Sequence, residues 1–108
     1  MAKELILTDV VEAILMKNRK VQTLGYVLAD MASIKIHSTV TPIMIRIAVS
    51  ELRSRGICII ADRYGYRITY LQPEVDTYIK KRETELKKEK KILRAMKLAN
   101  PTMASVRV

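Results

Sequence analysis

Residues 41–70 constrain the fold more than any other stretch, because a helix start, a helix stop and a tight turn follow one another within them. Thr41 can accept a hydrogen bond from the free backbone donors of a first helical turn, and Pro42 follows where a missing N–H costs nothing. Ile45, Ala48, Val49 and Leu52 then repeat at three- and four-residue spacing, which gives one buried stripe. Arg53 and Arg55 suit the negative end of the helix dipole, and Gly56 can take the left-handed conformation that ends the helix. Residues 57–61 are short and rich in β-branched side chains, and Asp62-Arg63-Tyr64-Gly65 is turn chemistry. Tyr66, Ile68 and Tyr70 alternate with Arg67 and Thr69, so the stretch predicts a helix followed by a β-hairpin.

Leu52, Arg53, Gly56, Ile57, Ile59, Gly65 and Tyr66 fit the pattern L-R-x-x-G-[apolar]-x-I, a short turn, then G-Y. In this the chain resembles small phage and prophage winged helix-turn-helix proteins and, less closely, the biotin-repressor-like winged helices. The resemblance implies an α+β fold, mostly α, in which residues 1–72 form a winged helix-turn-helix domain with a short hairpin wing. It also implies that the helix before the glycine enters the major groove, that the wing lies on the DNA backbone or minor groove, and that an extra helix after the wing mediates self-association or packs back on the domain.

Taken in order, residues 5–18 read as a first helix, with Thr8 as its cap and Leu7, Val10, Val11, Ile14 and Leu15 on one face. Residues 20–22 fit a short third strand beside the hairpin. Thr23 is the expected cap of a second helix lined by Leu24, Val27, Leu28 and Met31, and residues 32–40 read as a long link in which Ile34 and Ile36 alternate with Lys35 and His37. Pro73 opens a charged helix over residues 73–99, stopped by Asn100-Pro101, and residues 100–108 are expected to be a flexible tail. Along that helix Val75, Ile79, Arg82, Leu86, Leu93 and Met96 lie near a heptad seam interrupted by Arg82 and by the charges at Glu89 and Lys90. Ile79, Leu86, Leu93 and Met96 are therefore the expected self-association positions, and a homodimer through this basic helix is the expected assembly.

The balance of charge bears on the partner. Lys and Arg number 20 against 11 Asp and Glu, a formal net charge of +9, which makes a polyanion the natural ligand. A single cysteine, Cys58, excludes an intrachain disulfide and fits a reducing compartment; it is expected inside a strand as a buried apolar group. With no leader-like segment and no run of eighteen apolar residues, the expectation is a cytoplasmic protein without a membrane partner, nucleoid-associated or, if viral, in the host cytoplasm. Catalysis has little support: there is one histidine, no glycine-rich phosphate loop, no nucleophile-elbow serine and no spaced pair of acids. No catalytic residue, metal site or cofactor is expected, and His37 is expected to be exposed or close to phosphate.

For duplex DNA the candidates are Thr41, Ile43, Met44, Arg46, Ile47 and Ser50 on the third helix, of which Arg46 has the planar fork that matches guanine O6 and N7. Arg63 and Arg67 on the hairpin are expected to meet the backbone or minor groove, with Lys20 and Lys35 extending the basic strip. Ile43, Met44 and Ile47 lie opposite the buried stripe, so the third helix is apolar nearly all round. That surface can meet thymine methyls, lie under residues 32–40, or bind a protein. Three readings follow: a dimeric transcriptional regulator or accessory DNA-binding factor, a winged-helix protein-interaction module that could be viral, and a sequence-nonspecific DNA organiser.

Overall fold

A computed structural model describes residues 6–99. It contains α1 (Leu7–Lys17), α2 (Gly25–Ile36), α3 (Pro42–Ser54), β1 (Ile59–Asp62), β2 (Gly65–Ile68) and α4 (Gln72–Leu98), a mostly helical α+β chain with one antiparallel hairpin. The chain divides into two compact units, Met1–Val75 and Asp76–Val108, with the boundary inside the first turns of α4. The expected tail at residues 100–108 lies outside the described residues.

The core of the first unit is aliphatic. Val11, Leu15, Leu28, Ile45, Val49, Leu52 and Ile68 are its largest fully buried side chains, drawn from α1, α2, α3 and β2. The buried stripe predicted for α3 is the one observed, Ile45, Ala48, Val49 and Leu52. Its ends also form as the local chemistry dictates. The Met44 N–H donates to Thr41 Oγ1 at 3.2 Å, Gly56 sits at φ 91°, and the Ile57 and Gly56 amides donate back to the Leu52 and Arg53 carbonyls, the paired bonds of a left-handed helix terminus. Arg53 Nε then donates to the Ile59 carbonyl at 2.9 Å, fixing α3 to the first hairpin strand.

Five local expectations are corrected. Thr8 does not cap α1; the cap position is Ile6, without a side-chain bond, and Thr8 is buried one residue inside the helix. Thr23 does not cap α2 either. Its amide donates to the Tyr66 carbonyl at 2.9 Å and the Tyr66 amide donates back at 2.8 Å, and the α2 cap falls to Leu24. The strand expected at residues 20–22 does not form; the isolated bridge from Thr23 to Tyr66 stands in its place. The link over residues 32–40 is mostly helix: Leu28, Ala32 and Ile36 share a face at four-residue spacing, and α2 continues to Ile36 before His37 takes φ 60°. Ser33 Oγ donates to the Ala29 carbonyl and accepts the Val40 amide, both at 2.8 Å, which closes a short turn into α3. Cys58, finally, is exposed and lies just outside β1.

The hairpin pairs Ile59 with Ile68 and Asp62 with Gly65, leaving Arg63 and Tyr64 at the tip. Asp62 Oδ1 accepts the Tyr64 amide at 2.8 Å, the side-chain turn for which aspartate is suited.

Candidate nucleic-acid interface

The outward line of α3 follows from its inward one. With Ile45, Ala48, Val49 and Leu52 facing the core, Ile43, Ile47 and Ser50 fall on the opposite side and are exposed, as are Thr41 and Met44 near the start of the helix. Ile43 and Ile47 are 63% and 64% exposed, so residues 32–40 do not cover them. The Thr41 hydroxyl oxygen accepts the Met44 amide, which leaves its own hydrogen to donate.

Arg46 occupies the flank of α3 that carries Arg53 two turns later, the side fixed to β1 by the Arg53 bond. It lines a cleft of about 230 Å³ with Leu24, Pro42, Asp62, Gly65 and Tyr66. The recognition candidate on α3 and the turn of the hairpin therefore share one depression. Arg63 stands exposed at the tip, its guanidinium 4.9 Å from the centre of the Tyr64 ring and donating to the Tyr64 hydroxyl at 2.8 Å. A cation braced on its neighbour keeps its charge in solvent while losing rotamer freedom, which favours contact with a phosphate. Tyr64 is a functional candidate that sequence reasoning missed, although an Arg-Tyr pair at the centre of a turn is a readable signal.

Arg67 does not stand free on the hairpin. Its side chain is 17% exposed and donates to Glu74 Oε2 at 2.6 Å, while Thr69 Oγ1 donates to the other carboxylate oxygen and accepts the Leu71 amide. The pair ties β2 to the first turn of α4. Lys20 is exposed in the loop whose Gln22 donates to Asp62, beside the hairpin. Lys35 is exposed on the last turn of α2, where it lines a separate groove of about 400 Å³ with Asp9, Ala13, Lys17 and Met31, and it is not brought to the α3–hairpin cleft. Ile79, Leu86, Leu93 and Met96 are exposed on α4, none of whose residues is buried.

The hydrogen bond from Arg67 holds the Glu74 carboxyl below the usual glutamate range, with the Thr69 hydroxyl adding to the effect. A carboxylate with a depressed pKa contributes stability that is fully present above its unfolded pKa and lost as the pH falls through the lower folded value. Glu74→Gln is accordingly expected to lower the melting temperature at neutral pH by a few degrees. The difference from the native chain should narrow once the pH drops below the ordinary glutamate range. Melting curves from pH 7 to pH 3 check this, and a gap that stays constant would mean that the carboxylate charge contributes nothing.

Among the described residues no group of His, Cys, Asp and Glu is placed to hold a metal ion, and no helix is long and apolar enough to cross a membrane. Comparison of the chain with protein-family models, with curated proteins and with solved structures finds no match.

Proposed function

We propose that the first unit is a winged helix-turn-helix domain that binds duplex DNA, with α3 in the major groove and the hairpin on the backbone, and that the protein acts as a dimeric transcriptional regulator or accessory DNA-binding factor. The observation that carries this reading is the common cleft of Arg46 and the hairpin turn, which makes an outward-facing helix and a cation-tipped hairpin parts of one surface. The net charge of +9 and the short turn between α2 and α3 support it. In this arrangement Arg46 presents two donors to a guanine edge, Ile43 and Ile47 meet thymine methyls, and Ser50 bonds to either kind of base. Arg63 neutralises a phosphate.

The test is selection from a random duplex pool by the full-length protein at low and near-physiological salt. Enrichment of one motif, particularly a repeated one, is expected. Strong but motif-free retention that collapses with salt would point to a DNA organiser instead.

The exposure of Ile43 and Ile47 also favours a second reading, in which the same face binds a protein. Ile47→Asp separates the two. On DNA it removes a methyl contact and places a carboxylate in a negatively charged groove, so specific affinity should fall roughly ten- to hundredfold, about 1–3 kcal/mol. Unchanged DNA affinity in an anisotropy titration would assign the face to a protein partner.

A further inference from the structure

α4 is a helix of 27 residues with no buried residue: Glu74, Val75 and Tyr78 near its start are half-buried, and from Ile79 onward every residue of the helix is exposed. Ile79, Leu86 and Leu93, all about half exposed, nevertheless repeat every seven residues, and Val75, Arg82, Glu89 and Met96 fall at the other core position of the same heptad. These two central charges determine which way a partner helix can run.

Against a parallel copy, Arg82 would face Arg82 and Glu89 would face Glu89 in the middle of the seam. Against an antiparallel copy set with Ile79 level with Met96, neither charge meets itself. The layers become Ile79 with Met96, Arg82 with Leu93, and Leu86 with Glu89, each occurring twice by symmetry. Arg82, whose apolar stem can lie along Leu93, then comes within one layer of Glu89 on the opposite helix. One flank agrees with the core: Asp76 and Glu83 of one copy meet Lys97 and Lys90 of the other, opposite charges in both pairs, while the other flank sets Glu85 against Ile92. The broader charge distribution has the same sense. Residues 72–85 hold four acids and three bases, whereas residues 86–98 hold one acid and six bases, so a parallel pair would set the strongly basic halves side by side.

We propose that a second copy of this chain docks antiparallel on α4, in the register that places Glu83 against Lys90. The proposal rests on the dimer of the functional reading above, and its test involves no DNA. Sedimentation of the full-length chain over a concentration series is expected to show a reversible monomer–dimer equilibrium. Lys90→Glu should weaken the dimer roughly tenfold, since it converts two symmetric attractions into repulsions at an exposed flank. Adding Glu83→Lys to that variant should restore the dimer, and adding Glu85→Lys should not. Rescue by Glu85→Lys alone would overturn the orientation, because Glu85 is the residue that a parallel copy sets against Lys90. A chain that stays monomeric throughout, or an assembly indifferent to Lys90→Glu, would overturn docking on α4. A failure of DNA binding would show separately, in the pool selection.

Discussion

Gly65→Ala is expected to destabilise the first unit by about 3 kcal/mol or more, enough to lower its melting temperature by more than ~10 °C. Two costs coincide at this position. The backbone stands at φ 121°, a conformation that side chains with a Cβ rarely adopt, and a Cβ built there would overlap the Thr23 carbonyl and the Leu24 nitrogen. Those atoms are backbone, and Thr23 is fixed by its two hydrogen bonds to Tyr66, so the obstruction cannot swing aside as the end of a long side chain would. Gly56 supplies the comparison. It too has a positive φ, 91°, but no atom lies within 4 Å of its would-be Cβ, so Gly56→Ala carries backbone strain alone, about 1 kcal/mol. Thermal melts of the two variants should therefore separate clearly. If Gly65→Ala melts no lower than Gly56→Ala, the approach of residue 23 to the hairpin is not fixed.

Removing Arg46 and Arg63 together is expected to lower DNA affinity roughly hundredfold or more, in two distinguishable ways. Arg46→Ala should cost about 1–3 kcal/mol on the selected motif and relax discrimination at one base pair, because a bidentate contact reads that base. Arg63→Ala should weaken binding to all sequences alike and reduce the slope of log affinity against log salt by about one, because a phosphate contact releases counterions without reading sequence. Arg67→Ala is the control. With its guanidinium bonded to Glu74, the substitution should reduce stability and leave the salt slope nearly unchanged. Anisotropy titrations over a salt series measure all three, and a larger slope change from Arg67→Ala than from Arg63→Ala would show that DNA draws Arg67 away from Glu74.

Legibility in the sequence followed the range of the interactions involved. α3 and the hairpin were readable because Thr41, Pro42, Gly56, Asp62 and Gly65 act on backbone within a few residues of themselves. The end of α2 was not, because Ile34 and Ile36 alternate with polar neighbours as a strand would, and the helix stops at a left-handed histidine in place of glycine. Arg67 resembled a free hairpin cation because its partner lies seven residues away, across the turn into α4. Thr23 has a hydroxyl suited to capping, but its backbone is claimed by a strand more than forty residues further on, which no local pattern announces. Of the proposed interface, the α3 positions and Arg63 could be read directly. The pairing of Arg67 with Glu74 and the placement of Lys35 in another groove required tertiary contacts, whereas the bracing of Arg63 by Tyr64 is a contact between neighbours that the turn sequence carries.

The reciprocal hydrogen bonds between Thr23 and Tyr66 also govern how the hairpin can move. A two-stranded ribbon alone in water is marginal and frays readily. Here the second strand is held on its outer edge by the residue that leads into α2, so separating it from that neighbour also disturbs the start of a helix packed on the core. The amides of Thr23 and Tyr66 should consequently exchange with solvent deuterium together, on the slow timescale of openings that involve α2, while unpaired positions at the hairpin tip exchange freely.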